Sequence, residues 1–116
     1  MSKLNLPHKD PILFAKEIIS KKVDKCVVKI AFESIPTLAM LVEASAQSSA
    51  AFDNGDGKMG YLVTLKNIKL LHKPNALEYN VEITSGHSVD SLTYFSFDVF
   101  DDNIAIANGV FIISLQ

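Results

Sequence analysis

One long apolar segment most constrains how this chain can fold. Residues 37–52 are rich in Ala, Leu and Met, contain Glu43 as their single charged residue, and break the alternating pattern found on either side. This composition predicts an α-helix about 25 Å long, with Pro36 near its start and Ser34 as the N-cap. Because the first half of the segment is apolar nearly all round, the helix must be covered on most sides.

The remainder of the chain is patterned for strands. Residues 12–19 and 26–32 predict two strands before the helix, and residues 61–71, 77–84, 94–99 and 104–115 predict about four after it. A strict two-residue period, clear in 26–32 and 61–66, indicates strands with one buried face. Residues 20–25 and 101–103 are typical of turns, residues 85–88 are typical of a turn or a bulge, and Gly109 is typical of a bulge. Short turns between long strands imply an antiparallel sheet.

These patterns together predict the fold class. We expect an α+β fold in which an antiparallel sheet of five to six strands wraps around one long central helix. The 116 residues are expected to form a single domain, residues 1–116. Such a sheet covers only part of the helix and leaves an open edge strand, so a second subunit is expected to seal both.

Composition excludes several classes of protein. The chain is 48% hydrophobic with a net charge of −2, which excludes a disordered chain and gives no basic field for nucleic acid. All 11 basic residues are lysine, so no guanidinium fork is present for phosphate recognition. Residues 34–52 contain too many polar side chains for a membrane span. The N-terminal residues lack a long apolar core, and a cytoplasmic location is the default expectation.

Neither a metal site nor a cofactor is expected. Cys26 is the only cysteine and lies in a strand-like run, where a buried, unreactive thiol is typical. The three histidines, His8, His72 and His87, are too dispersed for a zinc motif. Residues 53–57 read Asp-Asn-Gly-Asp-Gly, but the third and twelfth positions of a calcium loop would be Gly55 and Thr64, so a helix end and turn is predicted.

Two short motifs carry a resemblance to a known family. Residues 6–11 read Leu-Pro-His-Lys-Asp-Pro, and residues 43–47 read Glu-Ala-Ser-Ala-Gln on the predicted helix. At this separation they resemble the opening and the helix signature of the 3-hydroxyacyl-acyl-carrier-protein dehydratases of the hot-dog fold. Residues 73–74, Lys-Pro, are similar to a basic-Pro step in the same family. The resemblance implies a hot-dog fold and acyl thioester substrates, carried by CoA or acyl carrier protein, in fatty acid metabolism.

The chain departs from the family at one important place. The family has a Gly-His-Phe-Pro-Gly loop before the helix, whose histidine acts with the helix glutamate of the partner subunit. Here residues 32–36 read Phe-Glu-Ser-Ile-Pro, so the histidine and the two glycines of the family loop are all absent. A shortened variant of the fold is therefore expected. His72 and His87 are each expected at the surface, with replacement of the lost histidine across a dimer interface as the alternative for either.

Four residues of the predicted helix are candidates for functional roles, and the resemblance strengthens that of Glu43. Glu43 is the expected catalytic acid or base, and no basic residue occurs from Ile30 to Gly57. Gln47 lies one helical turn further and is expected either to orient Glu43 or to bind a substrate carbonyl. The backbone N–H groups of Leu38 and Ala39, at the helix N-terminus, are expected to hold an oxyanion.

Three functions remain open from the sequence. A dehydratase-like lyase would use Glu43 on a 3-hydroxyacyl thioester, and a thioesterase would use the same carboxylate to activate water or attack the carbonyl. The third function is a non-catalytic acyl-binding protein or one half of a heterodimer. In every case a dimer is expected, through an open third strand and a surface made of Thr37, Met40, Leu41 and Ala44.

Overall fold

The structure, a computed structural model, describes residues 13–52 and 60–115. The motif at residues 6–11 and the predicted turn at 53–57 lie outside these ranges. The described elements, in chain order, are β1 (Ala15–Lys21), β2 (Lys25–Ala31), α1 (Leu38–Ser48), a 3-10 helix (Ser49–Phe52), β3 (Gly60–Leu70), β4 (Glu78–Val89), β5 (Leu92–Asp101) and β6 (Ile104–Leu115).

The strands form one antiparallel sheet. Their order across it is β1-β2-β4-β5-β6-β3, so β1 and β3 are the two edges. α1 packs on one face of this sheet against β1, β2, β4, β5 and β6. The predicted α+β architecture, a six-stranded sheet with one central helix, is confirmed.

The helix is shorter than its apolar composition predicts. It begins at Leu38, after the N-cap Thr37, whose Oγ1 accepts a hydrogen bond from the N–H of Met40 at 3.2 Å. The prediction of Ser34 as the N-cap is wrong, because Pro36 disfavours helical geometry in the residue before it. The α-helix ends at Ser48 after 11 residues, about 16 Å, and continues as a 3-10 helix.

The core lies between α1 and the concave face of the sheet. Alternation in β2 was predicted correctly, since Cys26, Val28 and Ile30 are fully buried. Leu41 and Ala44 are also fully buried within the protomer, so their predicted place in a dimer surface is wrong. Burial raises the pKa of the Cys26 thiol to about 11, with Lys21 acting weakly in the opposite direction. The thiol is therefore protonated at neutral pH.

The edge strand β3 departs from simple alternation. Its pairing with β6 shifts by one residue between Leu62 and Thr64 and again between Lys66 and Lys69, so β3 carries two bulges. Each bulge adds one unpaired residue and reverses the face on which later side chains lie. The predicted strict alternation over residues 61–66 is therefore wrong.

The bulges place an apolar stripe on the concave side of β3. Leu62, Leu65 and Leu70 lie opposite the core residues Ile113, Phe111 and Ala107 of β6, and cross-strand neighbours share a face. Ile68 also packs against the core. We call this set the β3 stripe: Leu62, Leu65, Ile68 and Leu70. Its three leucines are 39–47% exposed, so this part of the concave face is left largely uncovered by the protomer's own helix.

Gly109 has a different role from the predicted one. It pairs regularly with Phe97 of β5, and the bulge lies opposite it, on β3. A Cβ atom at Gly109 would overlap with Cδ1 of Ile68 and lie 3.1 Å from Cε1 of Phe97. The glycine therefore leaves room for Ile68 to enter the core beside the bulge.

The two hairpins after β3 use residues suited to tight turns. Asp90 and Asp102 have φ angles of 55° and 52°, in the left-handed region that Asp tolerates better than most residues. Residues 85–88, predicted as a turn or bulge, belong to β4 and have an irregular register with β5. The chain reverses at residues 90–91, where the Asp90 turn supplies the required backbone geometry.

Candidate functional site

Glu43 lies in the middle of α1 and is partly exposed. Its neighbours along the helix, Leu41, Val42 and Ala44, are buried. Its Oε1 accepts a hydrogen bond from Nε2 of Gln47 at 3.4 Å, the i to i+4 contact that the sequence predicts. The structure therefore brings the two predicted side chains of the helix signature together.

Gln47 is almost completely buried, with 4% of its surface exposed. Its Oε1 accepts the backbone N–H of Phe14 at 2.8 Å and that of Ala15 at 3.2 Å, where β1 begins. One amide therefore connects the edge strand to the carboxylate of Glu43. The β1 contact could not be predicted from the sequence, because it joins groups 32 and 33 residues apart.

Leu38 and Ala39 lie in the first turn of α1. The first i to i−4 bond of the helix runs from the N–H of Leu41 to the carbonyl of Thr37 at 3.1 Å, so the N–H groups of Leu38 and Ala39 precede the helical bonding ladder. Ala39 is exposed and Leu38 is half-buried. These N–H groups lie about one turn before Glu43 on the same helix.

Buried hydroxyl groups on α1 are bonded to the helix itself. Oγ of Ser45 donates to the carbonyl of Leu41 at 2.8 Å, and Oγ of Ser48 donates to the carbonyl of Ala44 at 2.7 Å. Both side chains are fully buried. Neither serine is therefore placed to act as a nucleophile.

The connection between β2 and α1 is short and anchored by an aromatic ring. Phe32 is buried and packs against Phe14 and Tyr79, with ring centroids 4.9 Å and 6.0 Å apart. Its N–H donates to the carbonyl of Leu77 at 2.8 Å. Residues 33–35 are exposed and contain no histidine, so the acid–base group found here in the dehydratase family has no counterpart in this connection.

The two described histidines lie at other places. Nδ1 of His72, just beyond β3, is 2.8 Å from the carbonyl oxygen of Ala105. His87, on β4, stacks on Tyr94 with ring centroids 4.4 Å apart. Both side chains are exposed, as predicted. Whether either acts across a subunit interface stays a prediction.

The convex face of the sheet carries polar groups that the sequence did not single out. Nζ of Lys66 lies 5.8 Å from the ring centroid of Tyr94. A shallow depression of about 320 Å³ is lined in part by Lys69, Asp98 and Asn108, which are cross-strand neighbours on β3, β5 and β6. This region lies on the face opposite α1 and Glu43.

Within residues 13–52 and 60–115, no group of three or more His, Cys, Asp or Glu side chains is arranged to hold a metal ion. No helix in the same ranges has the length and apolar character needed to cross a membrane.

Comparison with known proteins gives structural matches alone. No protein-family model matches the chain, and no curated protein matches it. A chain of the dehydratase heterocomplex ApeI:P from Xenorhabdus doucetiae superposes with a TM-score of 0.81 at 10% identity, covering 96% of this chain and 88% of that one. This likeness extends over the sheet and the helix together. The chain has a hot-dog fold.

Two further hot-dog structures resemble this one. A hypothetical thioesterase with coenzyme A from Streptococcus pneumoniae has a TM-score of 0.67 at 14% identity, covering 86% of this chain and 84% of that chain. The PaaI protein from the phenylacetic acid degradation operon of E. coli has a TM-score of 0.68 at 13% identity, covering 84% and 81%. At these identities the similarity establishes the fold.

Proposed function

We propose that this hot-dog protein binds acyl thioesters, carried by CoA or acyl carrier protein, and acts on them with Glu43 as acid or base. In this proposal residues 1–116 act as one domain. The observation that carries it is the partly exposed carboxylate of Glu43, the single charged residue of the central helix, held by Gln47 at 3.4 Å. The occurrence of a dehydratase complex and a thioesterase with coenzyme A among the structural neighbours supports the substrate class.

Hydrolysis is the reaction that one carboxylate can support by itself. Glu43 would accept a proton from water as the water oxygen attacks the thioester carbonyl. The C–S bond of the tetrahedral intermediate would then break, and the departing sulfur would take the proton back from Glu43 to leave as the thiol. The N–H groups of Leu38 and Ala39 would stabilise the oxyanion of that intermediate. The reaction consumes water and needs no cofactor.

Dehydration requires a second acid–base group in addition to Glu43. One group must remove the C2 proton of a 3-hydroxyacyl thioester, and a second must protonate the departing hydroxyl. The β2–α1 connection contains no histidine for the second step, and the loss of one such group costs about 10²–10⁴-fold in rate. We therefore expect little or no dehydratase turnover from the isolated protein.

The test is turnover of a panel of acyl-CoA and acyl-carrier-protein thioesters by the wild type, Glu43→Gln and Glu33→Gln. Glu33→Gln is the matched control, because Glu33 is an exposed acid outside the helix. Glu43→Gln is expected to lose about 10²–10⁴-fold in kcat and to retain acyl binding, since the amide keeps the shape of the carboxylate. Unchanged turnover in Glu43→Gln would place the chemistry elsewhere, and robust dehydration by the wild type would reveal a second acid–base group.

A second candidate is a non-catalytic acyl-binding subunit of a heterodimer. The histidine-free connection and the exposed β3 stripe favour it, and one structural neighbour is itself a dehydratase heterocomplex. This candidate predicts that calorimetry detects binding of a non-hydrolysable acyl thioether of CoA by both the wild type and Glu43→Gln, with no thioester turnover by either. Turnover that depends on Glu43 would exclude it.

A further inference from the structure

The amide of Gln47 has a fixed orientation. Its oxygen faces two backbone N–H groups, those of Phe14 and Ala15, which can bond only to an acceptor. The amide nitrogen must then face the carboxylate of Glu43, to which it donates at 3.4 Å. The hydrogen-bond pattern therefore assigns Oε1 to β1 and Nε2 to Glu43.

This arrangement disfavours direct contact between Gln47 and a substrate. The side chain is 4% exposed, and the backbone N–H of Ala15 belongs to a residue that is 1% exposed. A substrate carbonyl that took Nε2 would compete with Glu43. A substrate donor that took Oε1 would displace β1 N–H groups, and an unsatisfied buried donor is costly.

We infer that Gln47 is a positioning residue, which ties the orientation of the Glu43 carboxylate to the edge strand β1. Its catalytic consequence rests on the proposed function, but the connection itself does not. A glutamate on a helix surface can rotate about its side-chain bonds, and an amide held at two points by the sheet restricts that rotation. The carboxylate is thereby oriented relative to the sheet as well as to the helix, which matters because small errors in the placement of a reacting group are costly.

Two variants separate the two ends of this connection. Gln47→Glu keeps an acceptor for the β1 N–H groups but removes the donor to Glu43 and sets two carboxyls side by side. Gln47→Met keeps the length and apolar packing of the side chain and removes both contacts. Ser48→Ala is the control, because Ser48 is an equally buried polar residue on α1 whose hydroxyl bonds to the helix carbonyl of Ala44.

Kinetics distinguish positioning from substrate binding. If Gln47 positions Glu43, Gln47→Glu should lower kcat with little change in KM. The pH–rate profile of this variant should also move to higher pH, because two adjacent carboxyl groups share a proton. Loss of Gln47 should then cost almost nothing more in a variant that already carries Glu43→Gln. A raised KM, an unmoved pH profile and additive losses would identify a substrate ligand and overturn the inference.

Measurements without substrate keep the inference separate from the proposed function. Gln47→Met should speed amide hydrogen exchange at Phe14 and Ala15 by roughly fivefold or more, and Ser48→Ala should leave that exchange unchanged. Double substitution of Gln47→Met with Glu43→Ala should be non-additive in the unfolding equilibrium constant by about fivefold. Unchanged exchange or additive stability would overturn the inference even if thioesters are turned over. Absence of turnover with both effects present would overturn the proposed function alone.

Discussion

Asp98 lies directly opposite Glu82 on the convex face of the sheet. Partial burial, and then the neighbouring Glu82 carboxylate, raise the pKa of Asp98 above its usual value of 3.8, and Lys25 opposes this shift. Nζ of Lys25 is 3.2 Å from Oε1 of Glu82 and so offsets part of the repulsion. Like charges directly opposite on neighbouring strands are destabilising.

The sign of the pH dependence follows from that raised pKa. The folded state binds the Asp98 proton more tightly than the unfolded state, so this contribution to stability is full below pH 3.8 and is lost as pH rises through the folded pKa. Asp98→Asn removes the charge and should raise the Tm at pH 7 by about 1–4 °C, with no gain in acid. Thermal melts at pH 7 and pH 3.5 measure this, with Glu33→Gln as control. A lower Tm at pH 7 would show that the Asp98 carboxylate is stabilising.

At the level of elements, the strand patterns were informative where pairing is regular. β2 pairs continuously with β4, and its two-residue period therefore reports which side chains are buried. β3 is different, because its bulges depend on the strand beside it and on the space above Gly109. The sequence of one strand does not reveal which of its residues stay unpaired with the neighbouring strand. The faces of β3 could therefore not be assigned from its sequence alone.

The local contacts of the candidate site could be predicted from the sequence, and its long-range contacts could not. The i to i+4 spacing of Glu43 and Gln47 is local, and the helix period is enough to predict their contact. The N-cap was mispredicted because Pro36 moves the helix start to the next available oxygen, that of Thr37. The anchor of Gln47 on β1 depends on how the helix docks on the sheet, which no local pattern encodes.

The bulge opposite Gly109 predicts that a larger residue at this position destabilises the protein. Gly109→Ala would place a methyl group in overlap with Cδ1 of Ile68 and 3.2 Å from its Cα, and the backbone atom cannot move away easily. Overpacking of this kind costs about 1–3 kcal/mol. Urea denaturation should show this loss, with partial recovery in Gly109→Ala combined with Ile68→Val.

Gly86→Ala is the control for that series. Gly86 is exposed, and a Cβ there would lie 3.1 Å from the carbonyl oxygen of Tyr94, so a smaller effect is expected. Equal losses for the two glycines would mean that the contact with Ile68 is not the cause.

For the whole molecule, the open edge of β3 and its exposed leucines predict self-association. We expect two β3 edges to pair across a two-fold axis, which makes the two sheets continuous and covers the β3 stripe. Sedimentation at micromolar concentration should give a dimer for the wild type. Leu65→Lys should weaken the dimer by at least about tenfold in Kd, because a charge would be buried in the interface.

The matched control is Ile19→Lys, since Ile19 is a similarly exposed apolar residue on the opposite edge strand, β1. It should leave association unchanged. A wild-type monomer at micromolar concentration, or equal effects of the two lysines, would contradict association through β3.

The two bulges of β3 also affect how this strand is compared with any other. Each bulge reverses the face on which the following side chains lie. Leu62, Leu65 and Ile68 are spaced by three residues and therefore lie on one face of the sheet, whereas in a regular strand residues three apart lie on opposite faces. If β3 is aligned without gaps to a regular strand, inward-facing residues of β3 between the two bulges are matched to outward-facing residues of the other strand. Beyond the second bulge, inward-facing residues are again matched to inward-facing residues. Deleting Asn67, whose φ is 54°, would remove the second bulge and leave Lys66 and Ile68 on the faces that they already occupy, opposite Val110 and Gly109 of β6.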